Sequence, residues 1–216
     1  MPVQIDLMPL GMLQTNCYVV GDTDQREAVI IDPSGDAPAI LAQIKQRDYT
    51  VREILITHTH FDHVLALAEV KAATGAPIAM HPDGLDQLRN LSRIAAMYGI
   101  PYDGDTPDPD RDIAHGDVIE FGGIRLEARF TPGHSPGHIT FVMAAQKIAF
   151  VGDCIFNNGF GRTDLPGSDE ATLRQSIVEQ ILTLPDDFSL CSGHGPVTTV
   201  GQEKMHSAPL AYLLGR

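Results

Sequence analysis

The chain has 216 residues, 43% of them apolar and 20% charged, with a formal net charge of −13 at pH 7. That length holds one domain with a sizeable core, and no apolar run nears the roughly 20 residues that cross a bilayer. The acidic balance opposes nucleic acid and anionic lipid as partners, although two bound dications would cancel about four of those charges.

Short apolar runs broken by turns predict strands at Val3–Leu7, Cys17–Val20 and Ala28–Ile31, the third punctuated by Ile31-Asp32-Pro33-Ser34-Gly35-Asp36. A helix is expected over Pro38–Gln46, with Ile40, Leu41 and Ile44 on one face. A buried strand at Ile54–Ile56 precedes a helix over Asp62–Thr74 that carries Val64, Leu67, Ala68 and Val70. Ile78–Met80 reads as a strand and Leu85–Tyr98 as a helix. The Pro- and Asp-rich stretch 101–112 reads as an exposed loop. Val118–Phe121 and Ile124–Thr131 form a hairpin around Gly122-Gly123, and Ile139–Met143 with Lys147–Val151 a second. Ala171–Leu182 is a helix and Phe188–Cys191 a last strand. No repeat of fixed period occurs, and the order suggests two sheets with helices outside them.

Met1 to Leu10 has no basic leading segment and no small-residue cleavage site, so it does not read as a signal peptide. Cys17, Cys154 and Cys191 are odd in number and far apart, which argues against a disulfide framework and for a reducing, cytoplasmic setting. No Cys-x-x-Cys pair is present, so a zinc ribbon is excluded. Cys17 and Cys191 lie on apolar strands and are expected to be buried.

Histidines gather in three places, each just after a predicted strand: Thr57-His58-Thr59-His60-Phe61-Asp62-His63-Val64, Thr131-Pro132-Gly133-His134-Ser135-Pro136-Gly137-His138, and Ser192-Gly193-His194-Gly195-Pro196. Asp153 ends another strand. Residues two apart in extended chain point the same way, so His58 and His60 can grip one metal while Asp62 and His63, entering a helix, turn toward a second. Imidazole and carboxylate donors suit zinc, iron or manganese and exclude a thiolate cluster. A lone histidine is more often surface or core than ligand, and His81, His115 and His206 read as surface residues. His138 reads as a structural neighbour of the ligands. No Gly-x-Ser-x-Gly elbow or phosphate-binding loop is present.

The strings THTHFDHV, TPGHSPGH, GDCIF and SGHGP resemble the metal-binding motifs of the metallo-β-lactamase superfamily, in the family's order. The resemblance runs from Gln14 to the end of the chain. It implies an α/β fold of the αββα sandwich type, two mixed sheets face to face with helices outside. It also implies a site in which His58, His60 and His134 hold one metal, Asp62, His63 and His194 hold another, and Asp153 bridges them. Two divalent ions, zinc first with iron or manganese as alternatives, are thus expected as cofactors, with Asp62 and Asp153 as catalytic carboxylates. The stretch Gly152–Asp169 resembles the glyoxalase II and persulfide dioxygenase branch. Full-length glyoxalase II carries a further C-terminal helical domain, whereas here about twenty residues follow His194. The expectation is one domain over 1–216 without a separate glutathione-binding domain, similar to short bacterial glyoxalase-II-like hydrolases. The implied activity is hydrolysis of a small-molecule thioester such as S-lactoylglutathione, with Phe160, Arg162 and the 83–112 segment as substrate walls. Arg162 either holds a substrate carboxylate or pairs with Asp164. Two alternatives stand beside this: a mononuclear iron persulfide dioxygenase using His58, His134 and Asp153, and a non-catalytic metal-binding sensor.

Overall fold

A computed structural model describes residues 3–102 and 105–215. The first sheet runs β1 (Val3–Leu10), β2 (Thr15–Asp22), β3 (Glu27–Ile31), β4 (Thr50–Leu55), β5 (Ile78–Met80) and β6 (Arg111–Asp112), in that spatial order. β1, β2 and β3 are antiparallel neighbours, and β3 to β6 are parallel. The second sheet is built from β7 (Val118–Phe121), β8 (Ile124–Phe130), β9 (Ile139–Met143) and β10 (Ile148–Gly152). After the short hairpin β11 (Ile155–Phe156) and β12 (Gly159–Phe160), it is completed by β13 (Ser189–Ser192) and β14 (Thr198–Thr199). Its order is β14-β13-β10-β9-β8-β7, with only the β10–β13 pair parallel. Both sheets are therefore mixed, as expected.

Strand alternation explains the layers. Successive side chains leave a strand on opposite faces, so Tyr18 and Val20 of β2 point between the sheets while Cys17 and Val19 point outward. Tyr18, Val29, Ile31 and Leu55 meet Leu126, Phe141 and Phe150 in the inter-sheet core. Outside the first sheet, Ile30, Ile54 and Ile56 pack on Ile40, Ile44, Val64, Leu67 and Val70. Outside the second, Val142, Ala149 and Leu190 pack on Leu173, Ile177, Ile181 and Leu210. Burying each such side chain stabilises the fold by about 1.5–3 kcal/mol before entropy is counted. No helix among the described residues is long and apolar enough to cross a membrane.

The helices differ from expectation in instructive ways. The span 62–74 is two helices, Phe61–Val64 and Leu67–Thr74. Ala66 N–H donates to Pro33 O at 3.0 Å rather than to its own helix, which breaks the ladder and turns the chain. The span 85–98 is also divided, into Leu85–Arg89 and Leu91–Met97, where the Asn90 amide bonds Asp86 O at 2.7 Å and competes with the backbone ladder. Inside the 101–112 loop, Arg111–Asp112 pairs with β5, and the Arg111 guanidinium grips Glu53 through two bonds of 2.9 Å. The helix expected over 171–182 begins at Glu170 under an Asp169 cap and continues beyond Ser176 as a π-turn, Ile177–Ile181. Two C-terminal helices, Val200–His206 and Ala208–Leu213, were not legible as such.

Candidate metal centre

The polar clusters stand where five strands stop. Asp32 follows β3, Thr57 and His58 follow β4, His134 follows β8, Asp153 follows β10 and His194 follows β13. The strands fix the backbone up to those points, so the side chains beyond them converge at one edge between the sheets. Asp32 takes a left-handed φ of 51°, which Asp tolerates better than most residues.

All seven predicted ligand residues come together. The donor atoms of His58, His60 and His134 lie within 4.8 Å of one another, as do those of Asp62, His63 and His194. In the first trio His58 Nε2 is 3.1 Å from His60 Nδ1. In the second, His194 Nε2 is 3.2 Å from Asp62 Oδ2. Asp153 lies between them: its Oδ1 is 3.3 Å from His63 Nε2, and its Oδ2 is 3.5 Å from His134 Nε2 and 3.6 Å from His194 Nε2.

An outer ring of hydrogen bonds aims these groups, and most of it was not legible in the sequence. Asp32 accepts from the Thr57 amide at 2.7 Å and from the Thr57 hydroxyl at 2.6 Å. The same carboxylate accepts from His63 Nδ1 at 2.9 Å. Thr57 Oγ1 lies 3.0 Å from His58 Nδ1, so one carboxylate orients a histidine from each trio. Asp32, His58 and His63 also cluster as a possible third donor set, but the Asp32 oxygens are already spent on Thr57 and His63. Thr15 donates to Asp62 Oδ2 at 2.8 Å, and His134 Nδ1 donates to the Arg162 carbonyl at 2.8 Å. His138 is no ligand: its Nε2 accepts the Asp153 amide at 3.1 Å and its Nδ1 meets Thr131 Oγ1 at 2.9 Å. Such partners fix tautomer and ring orientation. Gly193 is a spatial requirement, since a Cβ there would stand 2.2 Å from Asp153 Oδ1 and 2.5 Å from His63 Cε1.

Burial and neighbouring charge set the protonation states. Burial, with the surrounding histidines, holds His58 well below the ordinary imidazole range and His60 down to about 3, and burial likewise lowers His134. Burial pushes the other way on the carboxyls, but it is overcome. His63, with hydrogen bonds from His194 and Thr15, holds Asp62 far below the usual range. His63, His134 and His194 bring Asp153 to about 2. His63 rises well above the ordinary value because Asp153, Asp62 and Asp32 outweigh its desolvation. The first trio thus presents neutral imidazoles and the carboxylates are ionised, the states in which these groups bind metal.

The donors fit a cation on a further observation. Among the described residues four buried side-chain polar atoms lack any hydrogen-bond partner, and three of them are His63 Nε2, His134 Nε2 and Asp153 Oδ1, all aimed into the basket. An orphaned buried polar atom costs about 1–3 kcal/mol, a cost that a shared cation removes.

Comparison with known proteins decides the family. The metallo-beta-lactamase superfamily model matches residues 10–194. The chain belongs to the metallo-β-lactamase superfamily. It is 37% identical over 204 residues to hydroxyacylglutathione hydrolase GloC of Haemophilus influenzae, covering 94% of this chain and 95% of that one. It is 34% identical over 195 residues to the mitochondrial persulfide dioxygenase ETHE1 of Mus musculus, covering 88% of this chain and 69% of that one. Among solved structures, BLEG-1 B3 metallo-beta-lactamase superposes with a TM-score of 0.89 at 36% identity, over 96% of this chain and 99% of that one. TTHA1623 in a di-iron-bound form superposes with a TM-score of 0.86 at 34% identity, over 94% and 98%.

Around this metallo-β-lactamase site the substrate-wall residues are less convergent than the ligands. Phe160 is half-buried and packs on the core outside the second sheet. The Arg162 guanidinium is exposed and bonds Asp164 through two contacts of 2.7 Å, while its carbonyl supports His134. From the 83–112 segment, Tyr98 stacks on Phe61 at 4.8 Å, beside Asp62. Phe156, which carried no signal in the sequence beyond its place after Asp153, has its ring 6.0 Å from that of His194. His81, expected at the surface, is half-buried and stacks on Phe130 at 4.3 Å.

Proposed function

We propose that this chain is a binuclear metal-dependent hydrolase that cleaves a small-molecule thioester, with S-lactoylglutathione as the reference substrate. The reading extends to one domain over the whole chain, working in the cytoplasm without nucleic acid or membrane as partner. Its main support is the completeness of the second trio: Asp62, His63 and His194 stand ready beside a full first trio, with Asp153 in reach of both.

His58, His60 and His134 would hold one ion, Asp62, His63 and His194 the other, and Asp153 would touch both. Two divalent cations, zinc first with iron or manganese as alternatives, supply Lewis acidity and a water ionised near neutral pH. The chain's own part is to fix seven donors and keep the imidazoles of the first trio neutral. Asp62 and Asp153, both ionised, would act as the catalytic carboxylates by holding the ions against which the water loses its proton before it adds to the thioester carbonyl. The carbon–sulfur bond then breaks, and the thiolate leaves and is protonated. The three thiols do not compete as nucleophiles: burial drives Cys191 up to about 12 and raises Cys17 and Cys154 further.

The test is metal analysis of the purified protein alongside hydrolysis of S-lactoylglutathione and of a neutral thioester of similar size. About two metals per chain and turnover that disappears on chelation are expected. One iron per chain, with oxygen uptake on glutathione persulfide, would replace this reading with the dioxygenase one, which the likeness to ETHE1 supports. Two metals without turnover of either thioester would leave a metal-binding sensor.

A further inference from the structure

Asp62 and His194 reach the same half of the basket from different sheets. Asp62 lies on the short helix after β4, and His194 in the loop after β13. His194 Nε2 and Asp62 Oδ2 stand 3.2 Å apart, so the edges of the two sheets must be fixed against each other at this point. The His194 ring has little support of its own. His58, His63 and His134 each meet a partner at Nδ1. His194 Nδ1 meets none among the described residues, and the side chain is 31% exposed. Its place therefore depends on the backbone that carries it.

That backbone is held from across the sandwich by the start of β2. Asn16 is buried, and its Nδ2 donates to Ser192 O and to Gly195 O, both at 2.9 Å, one carbonyl on each side of His194. The Asn16 N–H donates to Gly193 O at 2.7 Å. Tyr18 is two residues on and so on the same face, and its Oη donates to Ser192 O at 2.6 Å. Gly193 N–H in turn donates to Gly152 O at 2.8 Å, so the loop is gripped by β2 on one side and by the end of β10 on the other. Both amide hydrogens of Asn16 are spent on this loop. Leucine would match its shape without donors, and aspartate would offer acceptors only. Thr15 leaves the strand on the opposite face and donates to Asp62 Oδ2 at 2.8 Å. Consecutive residues of one strand thus hold one ligand from each sheet.

We propose that Thr15-Asn16 sets the span between Asp62 and His194, and that Asn16 is a positioning residue for the ion of the Asp62, His63 and His194 half, acting through the 192–195 loop. The inference rests on the binuclear reading. It makes the second ion, and not the first, sensitive to a side chain that touches neither.

The experiment compares the wild type with Asn16→Leu, Tyr18→Phe and Val20→Ala by chelator-competed zinc titration, thermal melting and amide hydrogen exchange of the zinc-loaded protein. Val20 lies on the same face of β2 in the inter-sheet core and controls for lost packing. Asn16→Leu should weaken the second zinc equivalent by about 10–100-fold and the first by less than about threefold. Exchange at Gly193 N–H should quicken by about tenfold or more. Tyr18→Phe should weaken the second equivalent by about threefold, since Ser192 O keeps its bond from Asn16. Val20→Ala should lower Tm and leave both affinities within about twofold. Equal weakening of both equivalents in Asn16→Leu, a fall in Tm alone, or undiminished protection of Gly193 overturns the proposal. Should Asn16→Leu fail to fold, Tyr18→Phe decides: weakening confined to the second equivalent sustains the proposal, and equal or no weakening overturns it. A wild type that takes up one ion overturns the binuclear reading instead, and faster exchange at Gly193 in Asn16→Leu then still sustains Asn16 as the support of the His194 loop.

Discussion

The half of the basket formed by His58, His60 and His134 and the half formed by Asp62, His63 and His194 share Asp153 but are built on different terms. The first contributes three imidazoles, all held below their ordinary protonation range, with His58 and His134 almost wholly buried. The second includes a carboxylate, and its two histidines are shifted the other way, His194 upward because Asp62 and Asp153 outweigh its desolvation. The His194 side chain is 31% exposed. The first half is neutral, whereas the second is charged and opens to solvent at His194, so the two should differ in how readily they lose their ions.

The widest effect comes from the residue that would erase the distinction. Asp153→Ala removes a donor from both halves, so both metal equivalents should weaken together and turnover should fall about a thousandfold. Metal content, rate and circular dichroism on one preparation check this, and near wild-type turnover would refute the bridge. His194→Ala should divide the halves, lowering metal from about two to about one per chain with the fold kept. Retention of both ions after dialysis would show that the halves are not separable in this way. Asp32→Asn should weaken metal binding by about 10–100-fold in both halves, since Asp32 orients His63 directly and His58 through Thr57. Weakening of one half alone, read by competitive chelator titration, would contradict the shared anchor.

Acid should empty the halves in sequence. Histidines with raised pKa values take protons at higher pH, so His63 and His194 compete with metal before His58, His60 and His134 do. As pH falls from 7 toward 4, metal content should step from two to one before reaching zero, with equilibrium dialysis as the measurement. Simultaneous loss would collapse the contrast. The smallest effect belongs to Arg162→Ala. Its guanidinium is exposed and already paired, and the group that supports His134 is its backbone carbonyl. Less than about a twofold change in KM is expected for both S-lactoylglutathione and a neutral thioester. A selective rise for the first would place the guanidinium on a substrate carboxylate.

The seven converging residues are legible in the sequence because each stands where an apolar run stops, in a string of histidine, aspartate and glycine too dense for a solvated loop. Asp32 is hidden because Asp-Pro-Ser-Gly reads as an ordinary turn, and its role appears only once β4 lies beside β3. The apolar run Cys17–Val20 shows a strand, but that β2 is buried along its whole length and covered on both faces appears only in the fold; the sandwich is legible from the order of elements and the family resemblance. Periodicity could not place the breaks at Ala66 and Asn90. They depend on a contact with Pro33 and on a side chain competing with the ladder. β6 escaped for a similar reason: its two charged residues carry no strand signal, and it exists because β5 offers an edge and Glu53 offers a partner for Arg111.

Asp32 also limits how such a chain can diverge. One carboxylate serves a histidine from each half, so the halves are separable in metal but not in ancestry. A descendant that relinquished the Asp62–His63–His194 ion would still need Asp32 to keep Thr57 and His58 in place. One that relinquished the other ion would need it for His63. Loss of either metal is therefore open to a lineage by a single ligand substitution, whereas Asp32 stays under selection along both routes. Position 32 should outlast several of the ligands it serves.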